Sequence, residues 1–315
     1  MAVRMIDQPS PSKARSPRFS WKNWSRLLYV SPWLIGFLIF KAVPILLSLW
    51  YSFTDFYLLR PQDTQFIGLK NYIRLLHDMQ AGYSLFTTIG FAFIAIPTQL
   101  FVSLFLAALL SSPRLKGKLL LRTLFFMPAI IPGVAIFSIW TGFINPGTGW
   151  LNQLILLPLG LPPFSGVNGE SGYNFLLILM TLWSIGPSFI IMLGSINSVS
   201  DEIYEAARVD GAGPLKRFAA ITIPMISPAI LFSIVINLIG IFGGALLLDP
   251  GNPFTGGISI FDNYIGQVMF SGNELGYAAA LAWVFFILML IVTLTLFRTS
   301  NRWVYYPEAD GEEDY

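Results

Sequence analysis

Six apolar segments alternate with polar stretches along the chain, at roughly 27–53, 84–110, 119–143, 173–197, 222–248 and 276–298. Each is long enough to cross about 30 Å of hydrocarbon as a helix. Proline and glycine fall inside several of them, at Pro32, Pro44, Pro97, Pro128, Pro132, Gly186, Pro187, Pro228 and Gly240. In a soluble helix these residues break the pattern. In a membrane bundle, neighbouring helices satisfy the freed carbonyls, and such kinks suit a transporter more than a passive anchor. The predicted architecture is an all-α integral membrane bundle.

One polar interruption organises the rest. Between the fourth and fifth segments lies a stretch from about 198 to 221, at whose centre stands Glu205-Ala206-Ala207-Arg208-Val209-Asp210-Gly211. Ile203, Ala206, Ala207 and Asp210 recur at i, i+3, i+4 and i+7, which predicts a short helix with two small alanines on one face. Gly211 marks its stop, because glycine alone enters the left-handed region cheaply at a helix end. Lys216 and Arg217 charge a second short helix, and Pro224 suits the first turn of the next long one. The expected unit is a helix–turn–helix lying on the membrane surface.

The other connections are shorter on signal. Residues 1–26 read as a polar tail rich in Pro, Ser, Lys and Arg, with Trp21 and Trp24 at the lipid interface. Gly68 to Leu76 reads as an amphipathic helix on the outer surface. The loop from Asn145 to Gly172 alternates Pro and Gly with leucines, and Leu151–Leu157 is a candidate to dip toward the membrane. Asp249 to Gly272 reads as a Gly-, Pro- and Asn-rich loop, and 301–315 as an acidic tail.

Composition narrows the function. Only 11% of residues are charged and mean hydropathy is +0.65, against about 25% charged in soluble domains, so the surplus apolar surface has to face lipid. The absence of cysteine excludes disulfides and thiolate metal sites, and a single histidine, His77, leaves no basis for a histidine metal centre. There is no phosphate-binding loop ending in Gly-Lys-Ser/Thr, so the chain does not hydrolyse ATP by itself. No carboxylate pair or nucleophile–base set falls at catalytic spacing, so no enzyme is expected. Charge sets the orientation. With the N-terminal tail inside, 15 of the 19 lysines and arginines fall on inner segments and three, Arg60, Lys70 and Arg74, on outer ones; Lys41 falls within the first span. That positive-inside bias puts both termini and the Glu205 stretch in the cytoplasm.

The spacing Glu205-Ala206-Ala207, three residues, Gly211, nine residues, Ile221-Thr222-Ile223-Pro224 resembles the signature loop of the membrane subunits of binding-protein-dependent ABC importers, with Ile223 where leucine is usual. Ser52-Phe53-Thr54-Asp55, Phe66 to Tyr72, Arg122 to Pro128 and Leu275-Gly276-Tyr277-Ala278 are similar to further motifs of the larger-subunit permeases for maltose and glycerol 3-phosphate, which import di- and oligosaccharides and related compounds. The resemblance implies the type I ABC importer permease (MetI-like) fold: six transmembrane helices over 27–300, with cytoplasmic coupling helices. It also implies a bacterial or archaeal plasma-membrane location, a second permease subunit, two ATP-binding cassette subunits and an extracytoplasmic solute-binding protein. ATP and Mg would be held by those partners, with no cofactor or metal on this chain and no nucleic-acid partner. Coupling to the ATPase would fall to Glu205, Ala206, Ala207, Gly211 and Pro224.

Candidates for the solute path are Asn237, Gly243, Gly244, Trp183 and Lys41, each with a plainer use. Asn237 and Asn197 suit sugar hydroxyls or helix–helix hydrogen bonds. Gly240 and Gly244 form a small-xxx-small pair suited to packing, and Gly243 and Gly244 would let a sugar ring approach the backbone. Trp183 suits stacking or bundle core. Lys41 marks a polar pathway or snorkels to headgroups. On the fifth span the resembled branch often places polar or aromatic residues where this chain has Ile239 to Ala245. Two other readings stay open: a stand-alone secondary transporter, which usually shows inverted repeats or an ion relay, and an ABC permease for a non-sugar solute.

Overall fold

The computed structural model describes residues 22–112, 115–164, 179, 181–242 and 260–306. Among them the secondary structure is helical, with one isolated bridge between Thr54 and Phe66. The chain divides into two compact units, Met1–Trp50 and Tyr51–Tyr315. In the first, α1 (Lys22–Phe37), a π-helical turn (Leu38–Ala42) and the start of α2 (Val43–Ser52) run on in helical conformation. The described helix thus takes in Lys22–Arg26, the last five residues of the stretch expected to be tail. Tyr29–Ser52 is long and apolar enough to span a membrane.

The second unit holds α3 (Lys70–His77), α4 (Met79–Ser111), α5 (Lys118–Phe126), α6 (Gly133–Phe143), α7 (Gly186–Asn197), α8 (Asp201–Val209), α9 (Pro214–Arg217), α10 (Ile223–Met225), α11 (Ser227–Phe242), α12 (Phe261–Gly266) and α13 (Leu275–Ser300). Helix α4 shows how a membrane bundle sorts its residues. Its buried stripe carries Ala81, Ser84, Thr88, Ala92, Ala95, Ser103 and Ala107, while Phe86, Phe93, Phe101 and Phe105 are exposed. Small residues let backbones approach, Phe91, Ile96 and Leu110 are buried with them, and the exposed phenylalanines are left for lipid.

Among the described residues three helices can span a membrane by length and composition: Tyr29–Ser52, α4 and α13. A fourth follows if Pro214–Met225 and Ser227–Gly240, bent by 65°, count as one. The third apolar segment is not continuous. Pro128 and Pro132 each lack an N–H donor, so α5 passes into a 3-10 turn (Met127–Ile130), and the chain is extended at Ile131 before α6. The fourth segment is described only in part, chiefly as α7.

Three expectations are corrected. Pro224 does not open the long fifth helix; it lies in α10, and the long helix starts after the bend at Ser227, where Pro228 occupies the first turn. The loop expected from Asp249 to Gly272 is helical over nearly its last half, as α12 followed by a π-helical turn (Gln267–Ser271). Its prolines and three of its five glycines sit before residue 260, outside the described residues, and the stretch after them packs on α4. In the expected 145–172 loop, Leu151–Leu156 is π-helical, pinned by Asn152, whose buried amide donates to Pro146 O and Phe164 O, both at 2.8 Å.

Two apolar cores lie along α4. One gathers Ala81, Ala92, Ile96, Leu238, Phe261, Tyr277, Leu281 and Phe285. The other gathers Ala107, Leu110, Phe189, Met192, Leu193, Ile196, Val199 and Ile226, with Tyr204, Ile221 and Met225 packed against it. The second core seats the polar hairpin.

Candidate functional site

The hairpin forms for reasons visible residue by residue. Ser200 caps α8 by accepting from the Glu202 N–H at 3.3 Å, Asp201 and Glu202 fill the positive first turn, and Arg208 sits in the negative last turn. The end is a Schellman motif: Ala212 N–H donates to Ala207 O at 2.9 Å and Gly211 N–H to Arg208 O at 3.0 Å. Gly211 takes φ +77°, the left-handed conformation the sequence predicts, with open space around it. A side chain there would meet conformational strain alone.

From Gly211 the chain turns into α9, carrying Lys216 and Arg217, and runs through a π-helical turn (Phe218–Thr222) into α10. Two polar contacts tie this second limb down. Tyr204 OH lies 2.8 Å from Thr222 Oγ1, joining the two limbs. Ser227 Oγ donates to Pro224 O and accepts from Tyr305 N–H at 2.7 Å, joining the bend to the segment after α13. One contact thus links α8 to the second limb, and the other holds the 65° bend to the segment after α13. Glu205 and Ala206 are exposed, whereas Ala207 is half-buried. Two apolar residues that periodicity did not single out stand furthest out: Val209 at 88% exposure and Leu215 at 83%.

Replacing Gly211 with valine should cost about 1–2 kcal/mol of local stability, because a β-branched residue is forced into the left-handed region. The expected result is normal membrane insertion with ATP hydrolysis uncoupled from transport. Wild-type transport by this variant in proteoliposomes would refute the coupling role that the resemblance implies for Gly211.

The solute-path candidates do not gather into one site. Asn237 is buried in α11, where its Oδ1 accepts from Ser188 Oγ at 3.0 Å; its Nδ2 is buried with no hydrogen-bond partner among the described residues. Trp183 meets Trp140 edge-on at 5.5 Å and is 42% exposed. Lys41 is exposed in the π-helical turn midway along Tyr29–Ser52. Asn197 is exposed at the end of α7. Gly240 has nothing within 4 Å of where a Cβ would stand, so among the described residues no helix packs closely on it. Gly243 and Gly244 lie outside the described residues.

At the opposite end of α4 the structure assembles a polar scaffold. Asp78 caps α4, its Oδ1 accepting from the N–H groups of Gln80 and Ala81 at 3.0 and 3.1 Å, while its Oδ2 accepts from the hydroxyls of Tyr264 and Tyr277, both at 2.6 Å. Arg74 pairs with Glu274 and stacks 3.9 Å above the Tyr277 ring. His77 ends α3, its Nδ1 3.0 Å from Ile73 O. Burial would raise the Asp78 carboxyl, but the four donors outweigh it and hold the group below the usual carboxylate range. No sequence signal beyond an Asp before an apolar helix marks this cluster, because its tyrosines arrive from about 190 residues further on.

A depressed carboxyl contributes stability that is present above its unfolded value of about 3.9 and is lost as pH falls through the folded value. Asp78→Asn keeps an oxygen for the helix cap but loses the charge that the tyrosine hydroxyls bond, so with solvent screening it should lower stability at neutral pH by about 0.5–1 kcal/mol, and the gap to wild type should close as pH falls below about 4. Melting temperatures in detergent across this range test it; a gap independent of pH would refute the assignment.

A multi-helix membrane protein with a rigid, capped polar hairpin between two apolar segments has the outline of a transport subunit. Comparison with known proteins makes the class definite. The family model described as "Binding-protein-dependent transport system inner membrane component" matches residues 81–305, and the chain belongs to that family. It is 32% identical over 305 residues to the "Probable ABC transporter permease protein YesP" of Bacillus subtilis (strain 168), covering 95% of this chain and 96% of that protein. To the "Arabinooligosaccharides transport system permease protein AraP" of the same organism it is 29% identical over 302 residues, covering 93% and 95%. A chain of a bacterial ABC transporter involved in the import of the acidic polysaccharide alginate superposes with TM-score 0.76 at 25% identity, covering 90% of this chain and 98% of that one. The protein is thus an ABC importer permease subunit with the MetI-like fold, and not an enzyme.

Proposed function

We propose that this chain is one half of the membrane pore of an ATP-driven carbohydrate importer, translocating a di- or oligosaccharide or a related solute. The observation that carries the mechanism is the hairpin: capped at both ends of α8, cross-tied by Tyr204 and Thr222, and joined through Pro224 and Ser227 to the bend that opens α11. A stiff, capped element transmits a displacement that a flexible loop would absorb locally. In this reading two ATP-binding cassette subunits grip the hairpin around Glu205 and Ala206 and supply ATP and Mg, while this chain binds no cofactor. Six spans place both termini in the cytoplasm, a second permease completes the pore, and a solute-loaded receptor docks on the outer face. The carbohydrate class is supported by the arabinooligosaccharide and alginate systems named among the relatives. Asn237, with its unused amide, is the residue best suited to a sugar hydroxyl.

The test is reconstitution with the partner permease, the ATPase and the receptor, measuring ATP hydrolysis across a panel of oligosaccharides. The expected result is receptor- and sugar-dependent stimulation. Uptake by this chain alone, driven by an ion gradient, would overturn the reading in favour of a secondary transporter.

A further inference from the structure

The connection after α6 differs in charge from the one between α2 and α4. No residue from Thr123 to Gly169 is charged, whereas the stretch before α4 carries Asp55, Arg60, Asp63, Lys70, Arg74 and Asp78. The apolar side chains of the uncharged connection stand in the open. Trp150, Leu154, Ile155, Leu157, Leu159 and Leu161 are all exposed, Leu154 at 68% and Leu159 at 69%. So dense a run of large exposed apolar residues marks a contact surface.

The backbone identifies what that surface meets. From Leu157 to Phe164 every N–H group is bonded within the element or absent. Leu157 N–H donates to Asn152 O at 3.0 Å, Leu159 N–H to Ile155 O at 3.3 Å, Gly160 N–H to Leu157 O at 3.1 Å and Leu161 N–H to Leu156 O at 2.9 Å. Phe164 N–H donates to Asn152 Oδ1 at 2.7 Å. Pro158, Pro162 and Pro163 have no N–H to satisfy. The Gly160 and Leu161 bonds form a Schellman turn, which Gly160 permits at φ +69°. Before the π-helical turn, Asn145 Oδ1 accepts from the N–H groups of Gly147 and Thr148, both at 3.0 Å. Two asparagines, Asn145 and the buried Asn152, thus supply the partners that the backbone at both ends requires. A loop in water has no need of this, because solvent pairs with its N–H groups. A loop in lipid cannot do without it.

We propose that residues 150–161 lie in the outer leaflet of the membrane, as an interfacial element whose exposed leucines meet phospholipid acyl chains and whose Trp150 stands at the headgroup level. The choice of leaflet rests on the topology proposed above; the contact with lipid does not.

The chain has no cysteine, so single nitroxide labels report on it directly when it is assembled with cysteine-free partners in phosphatidylethanolamine–phosphatidylglycerol vesicles. Leu154→Cys and Leu159→Cys are compared with Phe93→Cys, exposed on α4, and with Gln62→Cys, exposed in the 3-10 turn Pro61–Asp63. Each label's collisions with oxygen, which concentrates in lipid, are divided by its collisions with a water-soluble nickel chelate. The ratio at positions 154 and 159 should match that at 93 and exceed that at 62 severalfold. In an Asn152→Ala background it should fall toward the value at 62, because Phe164 N–H then has to find its partner in water. Nickel collisions as frequent as at position 62 would mean a water-facing loop, free to meet a receptor. Suppression of both reagents would mean that protein, such as the partner permease, covers the element. Either result would overturn the proposal, as would a ratio indifferent to Asn152→Ala. An impermeant maleimide on Gln62→Cys reads the topology separately: reaction from the inner side alone would refute the leaflet, while the collision ratios still decide the lipid contact.

Discussion

Gly276→Val should leave almost no protein that survives extraction from the membrane. Gly276 N–H donates to Phe56 O at 3.0 Å, and Leu58 N–H donates to Asn273 O at 2.8 Å, which binds the start of α13 against residues 54–58. A Cβ at position 276 would stand 2.3 Å from Thr54 O and 2.9 Å from Phe56 N. Both obstacles are backbone atoms, so no side chain can swing aside. They are also fixed from behind: Asn71 Nδ2 donates to Ser52 O at 2.9 Å and Thr54 O at 2.8 Å, Ser52 Oγ lies 2.7 Å from Tyr72 OH, and Thr54 is buried. Forcing the chains apart should cost about 3–5 kcal/mol, a large share of what holds a domain together. The measurement is yield and melting temperature after detergent purification. Gly276→Ala should fail in the same way, whereas Gly240→Ala, where the space is open, should purify like wild type. Normal recovery of Gly276→Val would mean that α13 does not start against residues 54–56.

That junction also shows what the sequence could and could not reveal. Ser52-Phe53-Thr54-Asp55, the stretch around Asn71 and Tyr72, and Leu275-Gly276-Tyr277 were each recognisable as separate motifs. Nothing in their spacing says that all three meet at one point more than 200 residues apart in the chain. The hairpin was legible because its signals are local: a four-residue periodicity, a left-handed glycine, and charges matched to helix ends. Its outward face was less so, since Val209 and Leu215 belong to no motif and only the three-dimensional turn exposes them. The fifth segment misled at its start, and the loop after it at its end, for one reason. Hydropathy averages over about 19 residues, so it could see neither the bend before Ser227 nor the short helix Phe261–Gly266. Lys41 and Asn237 stand out in the sequence as polar residues in apolar runs, but that says nothing about whether such residues share a site.

The hairpin's outward face sets the last expectation: Ala206→Asp should insert normally yet lose its ATPase subunits. Ala206 is exposed on α8 beside Glu205, with Val209 and Leu215 standing clear of the hairpin. An apolar, small-residue surface of this kind lets a partner's groove come close, and it wastes nothing on the hairpin's own folding. A carboxylate placed there would be buried on docking without a cation designed to meet it. An unpaired buried charge costs several kcal/mol, and each 1.4 kcal/mol, roughly, is tenfold in affinity, so the complex should weaken by orders of magnitude. The apolar spans are untouched, because the hairpin is polar and lies between them. Ala207→Asp makes the discriminating comparison. Ala207 is half-buried and its carbonyl accepts the Ala212 N–H that closes the Schellman motif, so that substitution should also loosen the hairpin and raise its hydrogen exchange, whereas Ala206→Asp should leave exchange unchanged. Co-purification in mild detergent reads the loss. If Ala206→Asp keeps a stoichiometric ATPase and transports normally, the motor grips some other surface of the chain, and the cap, the cross-tie and the bend serve stability alone.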